Sequence, residues 1–138
     1  LVFHPLKRSD SDAAFISYDQ CRQNTRTKRI IRCRLSNLEF KRNGGVNIIP
    51  GNISLSFRNV EGEMILHRLD LKGICVSTGS ACDSKNTQIS HVLKAIGLQE
   101  EYAKGTIRIS FGKYNTTEEV NTIADVLEGI LAKRYAPI

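Results

Sequence analysis

The segment STGSACDS, from Ser77 to Ser84, places one thiol among small and polar residues. Gly79, Ser80 and Ala81 leave the surroundings of Cys82 open, and loops that carry chemistry often have this composition. A nucleophilic thiol must be accessible and must spend part of its time as thiolate. Cys82 is therefore a candidate nucleophile, and a loop cysteine without a chemical role is the alternative at this point.

A second candidate residue lies on a predicted strand. The segment from Thr106 to Phe111 alternates apolar and polar residues, which predicts a strand with one buried face. Ile107, Ile109 and Phe111 take the core side, so Arg108 points away from it. A guanidinium on a rigid strand suits bidentate binding of a carboxylate. The alternative is a surface arginine paired with a nearby acid.

The other three cysteines show no comparable setting. Cys75 lies between two aliphatic residues and is expected to pack as a small hydrophobe, while Cys21 and Cys33 fall on a basic helix. No C-x-x-C pair is present, so no metal site is predicted. The N-terminus lacks a signal-peptide pattern and no apolar run suits a bilayer, so we expect a cytoplasmic location, reduced thiols and no membrane partner.

Positive charge is concentrated in one region. The net charge is +6, and the stretch from Arg22 to Arg42 holds eight basic residues against one acid, Glu39. Such a run is suited to bind RNA, an acidic protein or an acidic domain outside these 138 residues. The alternative is a helix face that is exposed to solvent and binds nothing. No aromatic residues interleave with it as in a single-strand binding platform.

The element pattern indicates an α/β chain, in the sense of an α+β sandwich. Residues 1–12 read as an irregular lead-in, and residues 13–138 as one domain with a small mixed sheet covered by helices. The predicted helices and strands are a helix over 13–35, strands over 38–40, 52–57, 74–76 and 106–111, helices over 61–71 and 91–96, and a last helix after a capping box at Thr116 and Glu119. Residues 78–89 read as a long loop.

Four segments resemble, in order, the motifs of one family. The segments are GVNIIPGNISLSF, VEGEMILHRLDLKGICVSTGSACDS, SHVLKAIGL and GTIRISFGKYNTTEEV. They resemble the cysteine desulfurases, the NifS-like part of the class-V aminotransferase superfamily. The long stretch between Cys82 and Ser90 is similar to the group with an extended cysteine loop.

The resemblance implies a function for several residues. The family binds pyridoxal 5′-phosphate and converts L-cysteine to L-alanine, passing the sulfur through a protein persulfide to an acceptor or scaffold protein for iron–sulfur cluster or thio-cofactor assembly. By resemblance, Cys82 forms the persulfide and Arg108 binds the substrate carboxylate. Asn52 stands where the family chain approaches the active site, and His91, another matching position, is interpreted as part of a helix start.

The departures from the family pattern limit these expectations. The family lysine that holds the cofactor directly follows a histidine, whereas the three histidines here are followed by Pro5, Arg68 and Val92. The chain therefore resembles only the C-terminal small domain of a fold-type I enzyme. We expect that it holds no cofactor covalently, that it is inactive alone, and that the face meant for the missing large domain favours a homodimer. The alternatives are a non-catalytic sulfur-carrier or interaction module and, least favoured, a basic nucleic-acid-binding domain.

Overall fold

The computed structural model describes residues 18–45, 51–78, 89–112 and 114–135. The predicted lead-in over 1–12 and most of the predicted loop, with Cys82, lie outside these residues. The elements are, in order, α1 (Tyr18–Arg34), β1 (Phe40–Asn43), β2 (Asn52–Phe57), α2 (Gly62–Asp70), β3 (Ser77–Thr78), α3 (His91–Ala95), α4 (Glu100–Ala103), β4 (Thr106–Ser110) and α5 (Thr117–Tyr135).

The four strands form one sheet in the order β1-β2-β4-β3, and every pairing between the described strands is antiparallel. The predicted α/β fold with a small helix-covered sheet is confirmed. We predicted a mixed sheet, and this prediction is wrong because the described strands form an antiparallel sheet. The strand order explains the difference. β2 and β3 run in the same direction around α2, as in a strand–helix–strand unit, but β4 inserts between them and pairs antiparallel with both.

One face of the sheet forms the core against three helices. β2 and β4 bury Ile53, Leu55, Ile107 and Ile109 there, as their alternation predicts. The helices contribute further large buried side chains, which are Ile31 and Leu35 of α1, Ile65 and Leu69 of α2, and Val120, Ile123, Leu127, Ile130 and Leu131 of α5. Because all three helices lie on this face, the opposite face of the sheet is left for polar residues.

Side-chain caps begin two of the helices, and the cap before α5 is the predicted capping box. Before α5, the amide of Glu119 donates to Oγ1 of Thr116 at 3.3 Å, and the amide of Thr116 donates to Oε2 of Glu119 at 2.9 Å. This reciprocal pair is a capping box. Before α3, the amide of Val92 donates to Oγ of Ser90 at 3.3 Å. Both caps satisfy amides that the first helical turn leaves without partners.

Two strands and one short helix differ from the sequence prediction by more than a single residue at an end. β1 begins at Phe40, because Leu38 is buried in the turn after α1 rather than in the strand. The third strand lies at Ser77–Thr78 instead of 74–76, since in the apolar run only Ile74 is fully buried, in an isolated bridge. The single-turn helix α4 was not predicted, because four residues are too few to show a periodicity.

Candidate functional site

The face of the sheet opposite the core is polar along its whole described width. Strand register places residues that pair across strands on the same side. The side chains that share this face, which we call the polar face, are Lys41 and Asn43 of β1, Asn52, Ser54 and Ser56 of β2, Ser77 of β3, and Thr106, Arg108 and Ser110 of β4. A row of hydroxyls and amides with one guanidinium suits the binding of a polar, anionic small molecule.

Arg108 stands on the polar face as the alternation of its strand predicted. Its side chain is exposed, and its neighbours Ile107 and Ile109 are fully buried on the other side. Nη2 of Arg108 donates a hydrogen bond to Oγ of Ser77 at 3.2 Å, across the directly paired positions of β3 and β4. A single hydroxyl leaves most of the five guanidinium donors available for a ligand. Ser77 was not predicted to contribute, although the sequence places it five residues before Cys82 in the same segment.

Asn52 lies on the same face as Arg108. Asn52 pairs with Ser110 and Ser54 pairs with Arg108, so Asn52 is the diagonal neighbour of Arg108, a Cα separation of about 7–8 Å in ordinary sheets. Its position is fixed by Gly51, which has φ of +82° and whose carbonyl accepts from the amide of Phe111. The structure therefore brings two of the predicted site residues together.

Buried hydroxyls join β2 to β4 next to the open part of the polar face. The hydroxyl oxygens of Ser56 and Thr106 are 2.6 Å apart, and both residues are almost fully buried. Nδ2 of Asn43 donates to Oγ of Ser56 at 2.7 Å and to Oγ of Ser54 at 3.1 Å. These polar groups satisfy one another and join β1, β2 and β4 next to Arg108.

α4 covers one end of the polar face. Nζ of Lys41 donates to Oε1 of Gln99 at 2.9 Å and lies 4.2 Å from the ring centroid of Tyr102. The hydroxyl of Tyr102 donates to Oε1 of Glu39 at 3.3 Å. Desolvation of the phenol, followed by the charge of Glu39, raises the pKa of Tyr102. This end of the face is closed, while the end with Arg108 remains exposed.

An ion-pair network holds α4 in this position. Nη1 of Arg58 lies 2.8 Å from Oε1 of Glu39, and Nε lies 3.1 Å from Oε2 of Glu101. The two carboxylates raise the pKa of Arg58, first through the hydrogen bond with Glu101 and then through that with Glu39. Arg58 thus links the turn after β2 to Glu39, the residue just before β1, and to α4.

The described residues include Cys33, Cys75 and His91, whose surroundings differ from one another. The predicted nucleophile Cys82 lies outside the described residues. Cys33 is exposed, and Cys75 is half-buried with its thiol 3.9 Å from Oδ1 of Asp70 rather than fully packed. His91 is exposed at the start of α3, which agrees with a structural position at a helix start. No group of three or more metal-ligating side chains occurs within the described ranges.

The residues of the polar face do not fit a covalently held pyridoxal phosphate. The one lysine among its paired positions is Lys41, whose ammonium group is already bound to Gln99 and placed over Tyr102. A lysine held in this way is not available as a cofactor ligand on the exposed side of Arg108. Among the described residues of the polar face, Arg108 thus keeps an exposed guanidinium, and the lysine Lys41 is already engaged.

The fold and the arginine-bearing polar face define a small α/β domain of the kind found in aminotransferase-like enzymes. The family model "Aminotransferase class-V" matches residues 16–123. The chain belongs to the class-V aminotransferase family.

Curated relatives of this chain are cysteine desulfurases. The chain is 53% identical over 87 residues to cysteine desulfurase IscS of Dictyoglomus turgidum, an alignment that covers 63% of this chain and 22% of that protein. It is 38% identical over 118 residues to a cysteine desulfurase of Gluconacetobacter diazotrophicus, covering 80% of this chain and 29% of the relative. The chain thus spans less than a third of the length of these relatives.

Solved structures show the same likeness. A NifS-like protein superimposes with a TM-score of 0.69 at 32% identity, over 83% of this chain and 29% of that one. The apo cysteine desulfurase of Thermococcus onnurineus superimposes with a TM-score of 0.63 at 26% identity, over 86% and 28% of the two chains. Full-length cysteine desulfurases use pyridoxal phosphate. In the part of the chain that the structure describes, no helix has both the length and the apolar character to span a bilayer.

Proposed function

We propose that residues 13–138 are the sulfur-accepting C-terminal small domain of a pyridoxal phosphate-dependent cysteine desulfurase. The position of Arg108 carries the proposal, because its guanidinium is exposed on the polar face beside the strand that leads into the Cys82 segment. In this proposal Arg108 binds the α-carboxylate of L-cysteine, as a fixed guanidinium does well. Asn52, on the same face, contacts the substrate beside it.

Cys82 is the nucleophile in this proposal. Its thiolate attacks the sulfur of L-cysteine, so that an S–S bond forms while the bond between Cβ and sulfur breaks. The electron pair of that bond stays with the substrate carbon, which takes a proton and becomes the methyl group of L-alanine. The two sulfurs are oxidised to a persulfide as the carbon is reduced, so the step needs no external oxidant. Attack requires the thiolate form of Cys82.

Chain connectivity supports the pairing of Cys82 with Arg108. Cys82 follows Ser77 by five residues, and a fully extended chain of that length reaches at most about 18 Å. A substrate bound at Arg108 is therefore within the reach of the Cys82 thiol. The same segment suits transfer of the persulfide sulfur to an acceptor or scaffold protein, for iron–sulfur cluster or thio-cofactor assembly in the cytoplasm.

The cofactor belongs to another part of the protein in this proposal. When bound, pyridoxal phosphate supplies an electron sink for the substrate. The residues of the polar face do not fit it, which supports a large domain outside these 138 residues as the part that holds it. We therefore expect the isolated chain, given pyridoxal phosphate and L-cysteine, to release no sulfide and to develop no absorbance band from a bound cofactor.

A chimera tests the proposed function. The matching part of the Dictyoglomus turgidum desulfurase is replaced by this chain, which is 53% identical to it over 87 residues. The chimera should form L-alanine and sulfide from L-cysteine, and Cys82→Ser should lower its rate at least about 100-fold, as loss of a nucleophile does. Cys33→Ser and Cys75→Ser are the matched controls and should keep the rate. An active Cys82→Ser chimera would refute the proposal.

A further inference from the structure

A concave space lies on the other side of the sheet, between α1 and the edge strand β1. Its volume is about 630 Å³, and it is separate from Arg108 and the polar face. Four cations line it, Lys28, Arg29 and Arg32 of α1 and Arg42 of β1, around a floor of Ile31, Phe40, Ile53 and Leu55. We call this space the basic cleft.

The four cations reach the cleft for clear structural reasons. Lys28, Arg29 and Arg32 are spaced by one, three and four positions, so they lie along one stripe of α1. Arg42 pairs with Leu55 and therefore points to the core side of the sheet, toward α1. The helix α1 and the strand β1 therefore both contribute their cations to the same cleft.

None of the four cations is neutralised within the described residues. Arg34, further along α1, forms an ion pair with Asp125 of α5, and the carboxylate of Glu39 is engaged by Arg58 and Tyr102. The hydrogen bonds and ion pairs of the described residues include no partner for Lys28, Arg29, Arg32 or Arg42. Like charges around one concavity repel each other, and an anionic ligand would relieve that repulsion.

The shape of the cleft favours a peptide over nucleic acid. A cavity of this volume is far too small for a duplex, and its one aromatic residue, Phe40, is packed against Phe57 with ring centroids 5.9 Å apart. A single-strand binding platform stacks successive bases on several aromatic rings, and the cleft has one. An apolar floor with a cationic rim instead matches a segment that carries carboxylates around an apolar side chain. β1 is the edge of the sheet as described, so an extended segment can lie along it.

We propose that the basic cleft binds an acidic peptide segment of a partner protein. The carboxylates of the segment meet Lys28, Arg29, Arg32 and Arg42, and one apolar side chain rests on Phe40 and the aliphatic floor. The proposal shares no residue with the Arg108 site and does not depend on desulfurase activity.

Fluorescence anisotropy with the 138-residue chain tests the proposal at low salt. The probe is a labelled peptide rich in glutamate with two leucines, and the reference probe has glutamine in place of each glutamate. The acidic probe should bind and the reference probe should not. Arg29→Glu with Arg42→Glu should weaken binding at least about tenfold. Arg68→Glu with Lys72→Glu, exposed positions away from the cleft, makes the same change in net charge and should alter binding less than about twofold.

Several results would overturn the proposal. They are equal losses in the two double variants, absence of acidic-probe binding, and displacement of the probe by a single-stranded RNA that binds more tightly. Tighter binding after deletion of residues 1–12 would also overturn it, because the chain's own N-terminal segment, with Asp10 and Asp12, would then be the occupant of the cleft. Circular dichroism establishes that each variant is folded. Arg29→Gln with Arg42→Gln, which adds no negative charge, should give a smaller loss in the same direction.

Discussion

Arg108 and Ser77 face each other across β4 and β3, and the guanidinium donates to the serine hydroxyl at 3.2 Å. Ser77 begins the two-residue strand after which the chain enters the segment with Cys82. Arg108, which is proposed to bind the substrate, thus pairs directly with Ser77. The segment with the proposed nucleophile Cys82 begins at Ser77. A short strand is sufficient for this purpose, because it only has to fix where the segment begins.

Replacing Arg108 by lysine tests its role in substrate binding. Lysine keeps the charge but cannot form the bidentate contact with a carboxylate. In the chimera, Arg108→Lys should raise KM for L-cysteine and lower kcat/KM about 100-fold. Arg68→Lys, on the exposed side of α2, is the matched control and should leave both constants unchanged. An unchanged KM in Arg108→Lys would show that the carboxylate binds elsewhere.

Replacing Gly51 by alanine tests the backbone conformation just before β2, where Asn52 is located. A Cβ at Gly51 would lie 2.3 Å from the carbonyl oxygen of Phe111, and its φ of +82° disfavours any L side chain. Gly51→Ala should therefore lower the free energy of unfolding by about 2 kcal/mol or more, a fall in Tm of roughly 5 °C. Differential scanning calorimetry measures the change.

Gly129→Ala is the control for Gly51→Ala, and it should change the stability in the opposite direction. It lies within α5, and no atom comes within 4 Å of a Cβ built on it. Gly129→Ala should raise the free energy of unfolding by about 0.5–1 kcal/mol, because alanine favours the helix. Two glycine-to-alanine changes should thus shift Tm in opposite directions. Stabilisation by Gly51→Ala would contradict the described backbone at the start of β2.

The hydroxyl pair of Ser56 and Thr106 should show coupling in a double-mutant cycle. Ser56→Ala or Thr106→Val alone leaves a buried polar partner with fewer bonds, at a cost of about 1–3 kcal/mol each. The double variant removes both groups, so its loss should be smaller than the sum by about 1 kcal/mol. Urea unfolding gives the four free energies. Strictly additive losses would mean that the two hydroxyls do not interact.

Tyr102 should make the fold sensitive to alkali. Burial and Glu39 raise the pKa of its phenol above its ordinary value. The corresponding stabilisation is complete below about pH 10 and is lost as the pH rises through the folded-state pKa. Tyr102→Phe should therefore lose less stability than the unaltered chain between about pH 10 and 12. Tyr114→Phe, at an exposed position, should behave like the unaltered chain. Equal alkaline losses in all three proteins would contradict this role of Tyr102.

The parts of the fold that depend on local patterns could be predicted from the sequence. The alternation in β2 and β4 correctly separated the buried aliphatic residues from Arg108. The Thr116–Glu119 capping box was likewise confirmed, because its chemistry is contained within four residues. The roles of Cys82, Arg108 and Asn52 come from resemblance and stay predictions.

The features that depend on distant contacts could not be predicted in the same way. The insertion of β4 between β2 and β3 is a tertiary event, and it changed a predicted mixed sheet into an antiparallel one. The stacking of Lys41 on Tyr102 and the bridge from Arg58 to Glu101 join residues far apart in the chain. No local pattern in the sequence encodes those pairs, and the same is true of the meeting of Arg42 with α1 in the basic cleft.

The most direct test of the central claim is to locate the sulfur that the chimera takes from L-cysteine. The chimera is incubated with pyridoxal phosphate and L-cysteine, then digested and mapped by mass spectrometry without reductant. We predict a gain of about 32 Da, one sulfur atom, on the peptide with Cys82, reversed by dithiothreitol and absent in Cys82→Ser. An equal gain on the peptides with Cys33 and Cys75, or no gain on Cys82, would contradict the account.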